Sequence, residues 1–272
     1  MPFPVVAHQG LAAPALLARR WRLNGVALLA GSVAPDLPYA LDRTRLDVDA
    51  GSHSWAALVW LCIPVAVVAG WAFRAIVAGP LAAHVPDLGP LRLRDMASAV
   101  SDWHPFATTA VSAMLGGLTH LMADGFTHPE PWAMDLAPWL AHRADGAPGF
   151  VGPDYRATYW YDVVGAVATA SGIVLVVVCL ALSARRRARE NVPRPSLPAT
   201  TRRSHLMLWG TSVAGVVVGL LLAAVVWGPE TRAQGTMLAT LAVATALTVG
   251  CHLATTELRH RPAFEPPARS AP

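Results

Sequence analysis

Four stretches of this chain, residues 55–73, 163–184, 205–229 and 233–256, each run for 19 residues or more without an acidic residue or an Arg. A helix needs about 20 apolar residues to cross the hydrocarbon core of a bilayer. Only helices and closed barrels satisfy every backbone polar group there. Runs of this length exceed a barrel strand and predict membrane-crossing helices. A fifth stretch, residues 106–122, is shorter and spans only if its helix runs on towards Asp124. The expected fold is all-α: a polytopic membrane helical bundle of about five spans.

Composition agrees. Charged residues make up 14% of the chain and hydrophobic ones 54%, whereas an ordinary soluble domain carries about 25% charged residues. The three cysteines, Cys62, Cys179 and Cys251, lie far apart inside apolar runs. No disulfide framework or thiolate zinc site is supported. The first ten residues lack a basic region before an apolar core, so a cleaved signal peptide is not expected.

Residues 9–33 are apolar but broken by Pro14, by Arg19, Arg20 and Arg22, and by the Asn24-Gly25 turn signal. Two short helices fit better than one span, with Pro35 ending the second. This N-terminal helical hairpin would lie in the interface or pack on the spans.

All 21 basic residues are Arg. Alternating the five spans puts thirteen Arg on one membrane side, seven of them in the loop 185–204, and eight on the other. The richer side is expected to be cytoplasmic. Arg19, Arg20 and Arg22 then fall on the wrong side. The modest charge of +4 is a topology signal, and no nucleic-acid partner is expected.

This topology brings His8, Asp36, His53, His120, Asp124 and His128 to one membrane face. His120 and Asp124 stand four apart, on one face of a helix, and His128 continues the row if the helix lasts. Imidazole and carboxylate are suitable ligands for a zinc-like divalent ion. Such an ion lowers the pKa of a ligated water to about 7, and Asp36 or Asp124 would serve as proton acceptor. Plainer readings stand beside this one. His120 and Asp124 also fit a structural hydrogen-bonded pair. Asp36, in "APDLPY", also fits a turn or cap. Trp55, Trp71, Trp132 and Trp139 fit interfacial anchors. The other histidines (His84, His104, His205, His252 and His260) fit incidental or interfacial positions.

His8 after "MPF", "GSVAPDLPY" with Asp36, "HSW" with His53 and "LGGLTHLMADGFTH" together resemble an uncharacterised bacterial membrane family, domain-of-unknown-function family 4184. They are also similar to predicted membrane-bound metal-dependent hydrolases. The resemblance covers residues 1–165 and leaves 166–272 as C-terminal spans with the Arg-rich loop 185–204. The ligand order is similar to that of the zinc-dependent phospholipase C and single-strand nuclease fold. That likeness implies one ion held by Asp36, His53, His120 and Asp124, with His8 sharing Asp124 towards a second. The last ligand pair of that fold has no match. His142 with Asp145, at a spacing of three, is the nearest.

The expectation is therefore a multi-pass protein of the bacterial inner membrane. It would act as a metal-dependent hydrolase of an ester or phosphodiester at the membrane surface, with the site on the extracytoplasmic face. Membrane lipids would be its partners and a lipid or phosphodiester its substrate. The main alternative is a non-enzymatic membrane protein whose His/Asp cluster is a structural staple. A transporter is a third reading, although the later spans carry no acidic residue or Arg in their interiors. Oligomeric state is left open.

Overall fold

The structure, a computed structural model, describes residues 5–18, 22–41, 51–87, 92–100, 104–144, 159–190, 196–226 and 232–259. Arg19, Arg20, Asp145, His260 and part of the Arg-rich loop lie outside these. Among the described residues the protein is all-helical, with a single isolated bridge between Arg143 and Tyr159.

Five helices are long and apolar enough to cross a membrane. They are α3 (Ala57–His84), α4 (Phe106–Thr127), α6 (Trp160–Arg189), α7 (Arg202–Val225) and the span Gln234–Leu258 within α8 (Arg232–Arg259). The two short N-terminal helices are α1 (Val5–Ala12) and α2 (Gly25–Gly31), and α5 (Pro131–Leu136) follows α4.

One span boundary differs from expectation, and a second meets the condition set for it. Arg74 does not end α3; the helix widens into a π turn over Phe73–Val77 and continues to His84. A π turn inserts one extra residue without breaking the helix. Helix α4 runs past Met122 to Thr127, so Asp124 is helical and His128 becomes the C-cap.

The N-terminal segment does not lie flat on the bundle. His8 sits 3.8 Å from Asp124, near the last turn of α4. At Asn24 the chain has reached the other end of that helix. The Asn24 backbone N–H donates to Ser112 Oγ (2.9 Å), and its side-chain amide donates to Thr109 Oγ1 (3.1 Å). The chain then returns, so that the Ser32 carbonyl meets His120 and Asp36 faces Asp124. Fifteen helical residues separate Thr109 from Asp124, about 22 Å of travel. The segment is a re-entrant hairpin. Such backbone is tolerated at membrane depth only where protein covers it.

Small residues make that cover possible. A Cβ at Gly31 would strike the Ala113 backbone, and one at Gly116 would strike the Leu28 carbonyl. Gly10 meets the Gly172 backbone in the same way, fixing α1 on α6. Asn24 is not a turn residue but the N-cap of α2, accepting from the Ala27 N–H. Helix α2 stops at Gly31, before Pro35, which opens a 3-10 segment at Ala34–Leu41.

Helices α7 and α8 form the most extensive pair, with Gly215 and Gly219 against Ala246 and Ala239. At the end remote from the His/Asp cluster, His84 ties α3 to α7. Its Nδ1 donates to the Pro80 carbonyl, so its Nε2 accepts from Ser204 Oγ at 2.8 Å. His205 packs edge-on against the same ring. These two histidines have a structural place and are not incidental.

Candidate metal centre

Helix α4 contributes His120 and Asp124 one turn apart. The returning arm of the hairpin contributes Asp36, and the residues entering α3 contribute His53. Antiparallel packing of α3 against α4 brings the last two elements together at one end.

Four atoms converge. Asp36 Oδ1 lies 3.4 Å from both His53 Nε2 and His120 Nε2. Asp124 Oδ2 lies 3.4 Å from His53 Nε2 and 3.0 Å from His120 Nε2. The two Nε2 atoms are 3.4 Å apart. A tetrahedral ion with ligand bonds near 2.0–2.1 Å needs donors about 3.3–3.4 Å apart. Four of these five separations, at 3.4 Å, match that edge and the fifth is slightly shorter. All four donors lie within 4.8 Å of one another.

The protein aims these rings from behind. His120 is fully buried, and its Nδ1 sits 2.8 Å from the Ser32 carbonyl oxygen. A carbonyl only accepts, so Nδ1 carries the proton and Nε2 faces the carboxylates. His53 Nδ1 contacts Ser52 Oγ at 2.9 Å, again leaving Nε2 inward. Tyr39 stacks obliquely on the His53 ring.

The remaining carboxylate oxygens face the other way. Asp36 Oδ2 is 3.9 Å and Asp124 Oδ1 3.8 Å from His8 Nε2. Asp124 Oδ1 is also 3.7 Å from His128 Nδ1. That oxygen is buried and makes no hydrogen bond among the described residues, a costly state unless a positive partner sits against it. The His8 ring stacks on His120 with centroids 4.0 Å apart. All six expected residues therefore gather at one place: four share a coordination-sized space, and His8 and His128 flank it. His142 is exposed, and Asp145 lies outside the described residues.

Charge balance follows from burial and contact. Burial disfavours the His53 imidazolium, but hydrogen bonds to Asp124 and Asp36 outweigh it and push its pKa up to about 9. Burial pulls His8 down to about 4, reinforced by His120. Burial also lowers His128, against the pull of Asp124. Burial works against an ionised Asp36, yet hydrogen bonds from His120 and His53 hold its carboxyl well below the usual range. Without an ion, the centre is thus held together by the Nε2–H groups of His53 and His120 between two carboxylates.

A family model described as a domain of unknown function, DUF4184, matches residues 1–256. The chain belongs to the DUF4184 family. The match continues past residue 165 through α6, α7 and nearly all of α8, so the DUF4184 region includes the C-terminal spans. No curated protein and no solved structure matches the chain.

Sequence reasoning found the residues whose donor atoms converge but missed the groups that support them. The Ser32 carbonyl carries no side-chain signal. Ser52 is visible only as the neighbour of His53. Gly31 and Gly116 could be read only from the close approach they permit.

Proposed function

We propose that this DUF4184 protein is a metal-dependent hydrolase of ester or phosphodiester bonds at the membrane surface, with zinc as its ion. The observation that carries this reading is the set of five donor separations of 3.0–3.4 Å among Asp36, His53, His120 and Asp124. An ion bound there supplies Lewis acidity and makes water acidic enough to ionise near neutral pH.

The chain's own groups do the rest. Asp36 Oδ2 and Asp124 Oδ1 lie outside the four-atom set and accept the proton of the attacking water. The water oxygen bonds to phosphorus or to the carbonyl carbon. The bond to the leaving oxygen breaks, and the same carboxylate returns the proton to that oxygen. No electron is gained or lost. His120 and His53 are locked by Ser32 and Ser52, so they hold their geometry through the reaction.

The site is assigned to the extracytoplasmic face of a bacterial inner membrane. Arg22, first counted on the site side, sits two residues from Asn24, at the opposite end of α4. Moving it there joins it to the Arg-rich side and strengthens the bias that marks the cytoplasm.

Elemental analysis of chelator-free protein in detergent, beside a hydrolysis screen, tests the reading. One ion per chain, lost in Asp124→Asn together with turnover, is the expected result. An ion-free preparation overturns it. A metal-bound, inactive protein that melts early when His120 is removed would instead indicate a structural staple.

A further inference from the structure

The depth of the centre in the membrane says how a substrate reaches it. Helix α6 offers the ruler. Gly10, two residues from the flanking His8, rests on Gly172. Trp160 starts that helix twelve residues earlier, about 18 Å away along the axis. Between them Asp162 is confined to the first turn, the hydroxyls of Thr169 and Ser171 turn back on the helix's own carbonyls, and Val167 is 62% exposed.

The segment after α4 covers the same distance. Trp132 fills the notch left by Gly125, one residue past Asp124. Trp139 meets Trp160 with ring centroids 6.3 Å apart, and the Trp160 N–H donates to the His142 carbonyl. Along this segment Trp132, Leu136 and Trp139 point outward, at 37%, 71% and 51% exposure. Trp132 and Leu136, four apart on α5, share a face, and Trp139 follows in the short 3-10 turn Pro138–Ala141. Trp160 opens the span α6 and, with Trp139 against it, marks the headgroup level of that span. The belt formed by Trp139 and Trp160 therefore lies further from the bilayer centre than the His/Asp cluster does.

We propose that the centre is recessed beneath this aromatic belt, and that its substrate is carried by a bilayer lipid and enters sideways from the leaflet. The cluster opens in the right direction. Its more exposed members are His53 and His128, while His8 and His120 are buried. His53 leads to the exposed Trp55, and His128 leads to Trp132. This inference rests on the hydrolase reading and adds the source of the substrate.

Two measurements on the full chain in phosphatidylglycerol–phosphatidylethanolamine vesicles separate the possible failures. A nitroxide on Val167→Cys reports depth through its accessibility to oxygen and to aqueous chromium oxalate; the three native cysteines are buried. The label is expected to meet oxygen and to be shielded from the oxalate. With zinc added, turnover of the vesicle lipids is expected to exceed that of glycerophosphoglycerol or a soluble acyl ester at least tenfold. A label bathed in oxalate, or equal turnover of the soluble compounds, overturns the recessed, lipid-fed site. A shielded label with zinc bound and no turnover of any compound overturns the hydrolase reading beneath it.

Discussion

His120 Nδ1 donates to the Ser32 carbonyl across 2.8 Å, which points His120 Nε2 at Asp124 Oδ2, 3.0 Å away. The returning arm of the hairpin thus sets the tautomer of an imidazole on a different helix. His120→Ala removes both the donor and its anchor to α2. It is expected to weaken zinc binding by roughly 100-fold or more, since even supporting partners are worth 10–100-fold. Isothermal titration in detergent measures this, and His84→Ala, at the remote end, is the control that leaves affinity unchanged.

Gly116 lets α2 lie against α4 with backbone nearly touching backbone. A Cβ there would approach the Leu28 carbonyl oxygen to within 2.1 Å. Neither partner is a flexible side chain, so the helices must separate. Gly116→Ala is expected to cost about 1–3 kcal/mol and to weaken metal binding as well, because Ser32 and Asp36 move with α2. Thermal melting and zinc titration of the same variant test both effects.

Asn24 caps α2 and pairs with Thr109 at the far end of the hairpin. Asn24→Ala loses the cap, leaves Thr109 without that partner and is expected to cost about 1–2 kcal/mol. The ligands stay in place, so metal stoichiometry is expected to remain one per chain. Loss of stability with retained metal separates the staple at the tip from the centre.

Metal binding and proton binding compete at His53. Its pKa is raised to about 9, whereas His8 and His128 are lowered by burial and are neutral at pH 7. Zinc must therefore displace a proton from His53, and also the Nε2 proton with which His120 bonds the carboxylates. Apparent affinity is expected to rise by at least about tenfold per pH unit between pH 7 and 9. In the ion-free protein the sign reverses. The protonated His53 contributes stability that is fully present below about 6.5, its value in the unfolded chain, and lost as pH rises through about 9. Titrations and melting curves across that window check the two slopes.

Sidedness is open to direct chemistry. A cysteine replacing the exposed Arg22 is expected to react with a membrane-impermeant maleimide from the side opposite the metal centre, and one replacing the exposed His142, beside the Trp139–Trp160 belt, from the same side as the centre. Labelling of both from one side would contradict the hairpin.

The spans were legible because about 20 apolar residues have few alternatives to crossing a bilayer. The pairing of His120 with Asp124 was legible because four residues make one helical turn. The depth of the N-terminal segment was not. Its helices are too short to span, and hydropathy cannot distinguish a segment resting on a bundle from one inserted into it. What decides is the match of Gly31, Gly116 and Gly10 to particular backbones, a property of pairs of distant positions. Arg74 misled for a related reason. A charge usually marks a helix end at the interface, but α3 carries it through the π turn and continues.

Gly10 is synthesised well before the backbone it rests on, at Gly172. Domains generally begin folding from the end that leaves the ribosome first, but this hairpin has no seat until α4 and α6 are in the membrane. His8 and Asp36 must wait until α4 has been made before they meet His120 and Asp124. Assembly of the centre is thereby delayed until α4 and α6 are in place, and a truncated chain ending before α6 lacks the surface on which Gly10 rests.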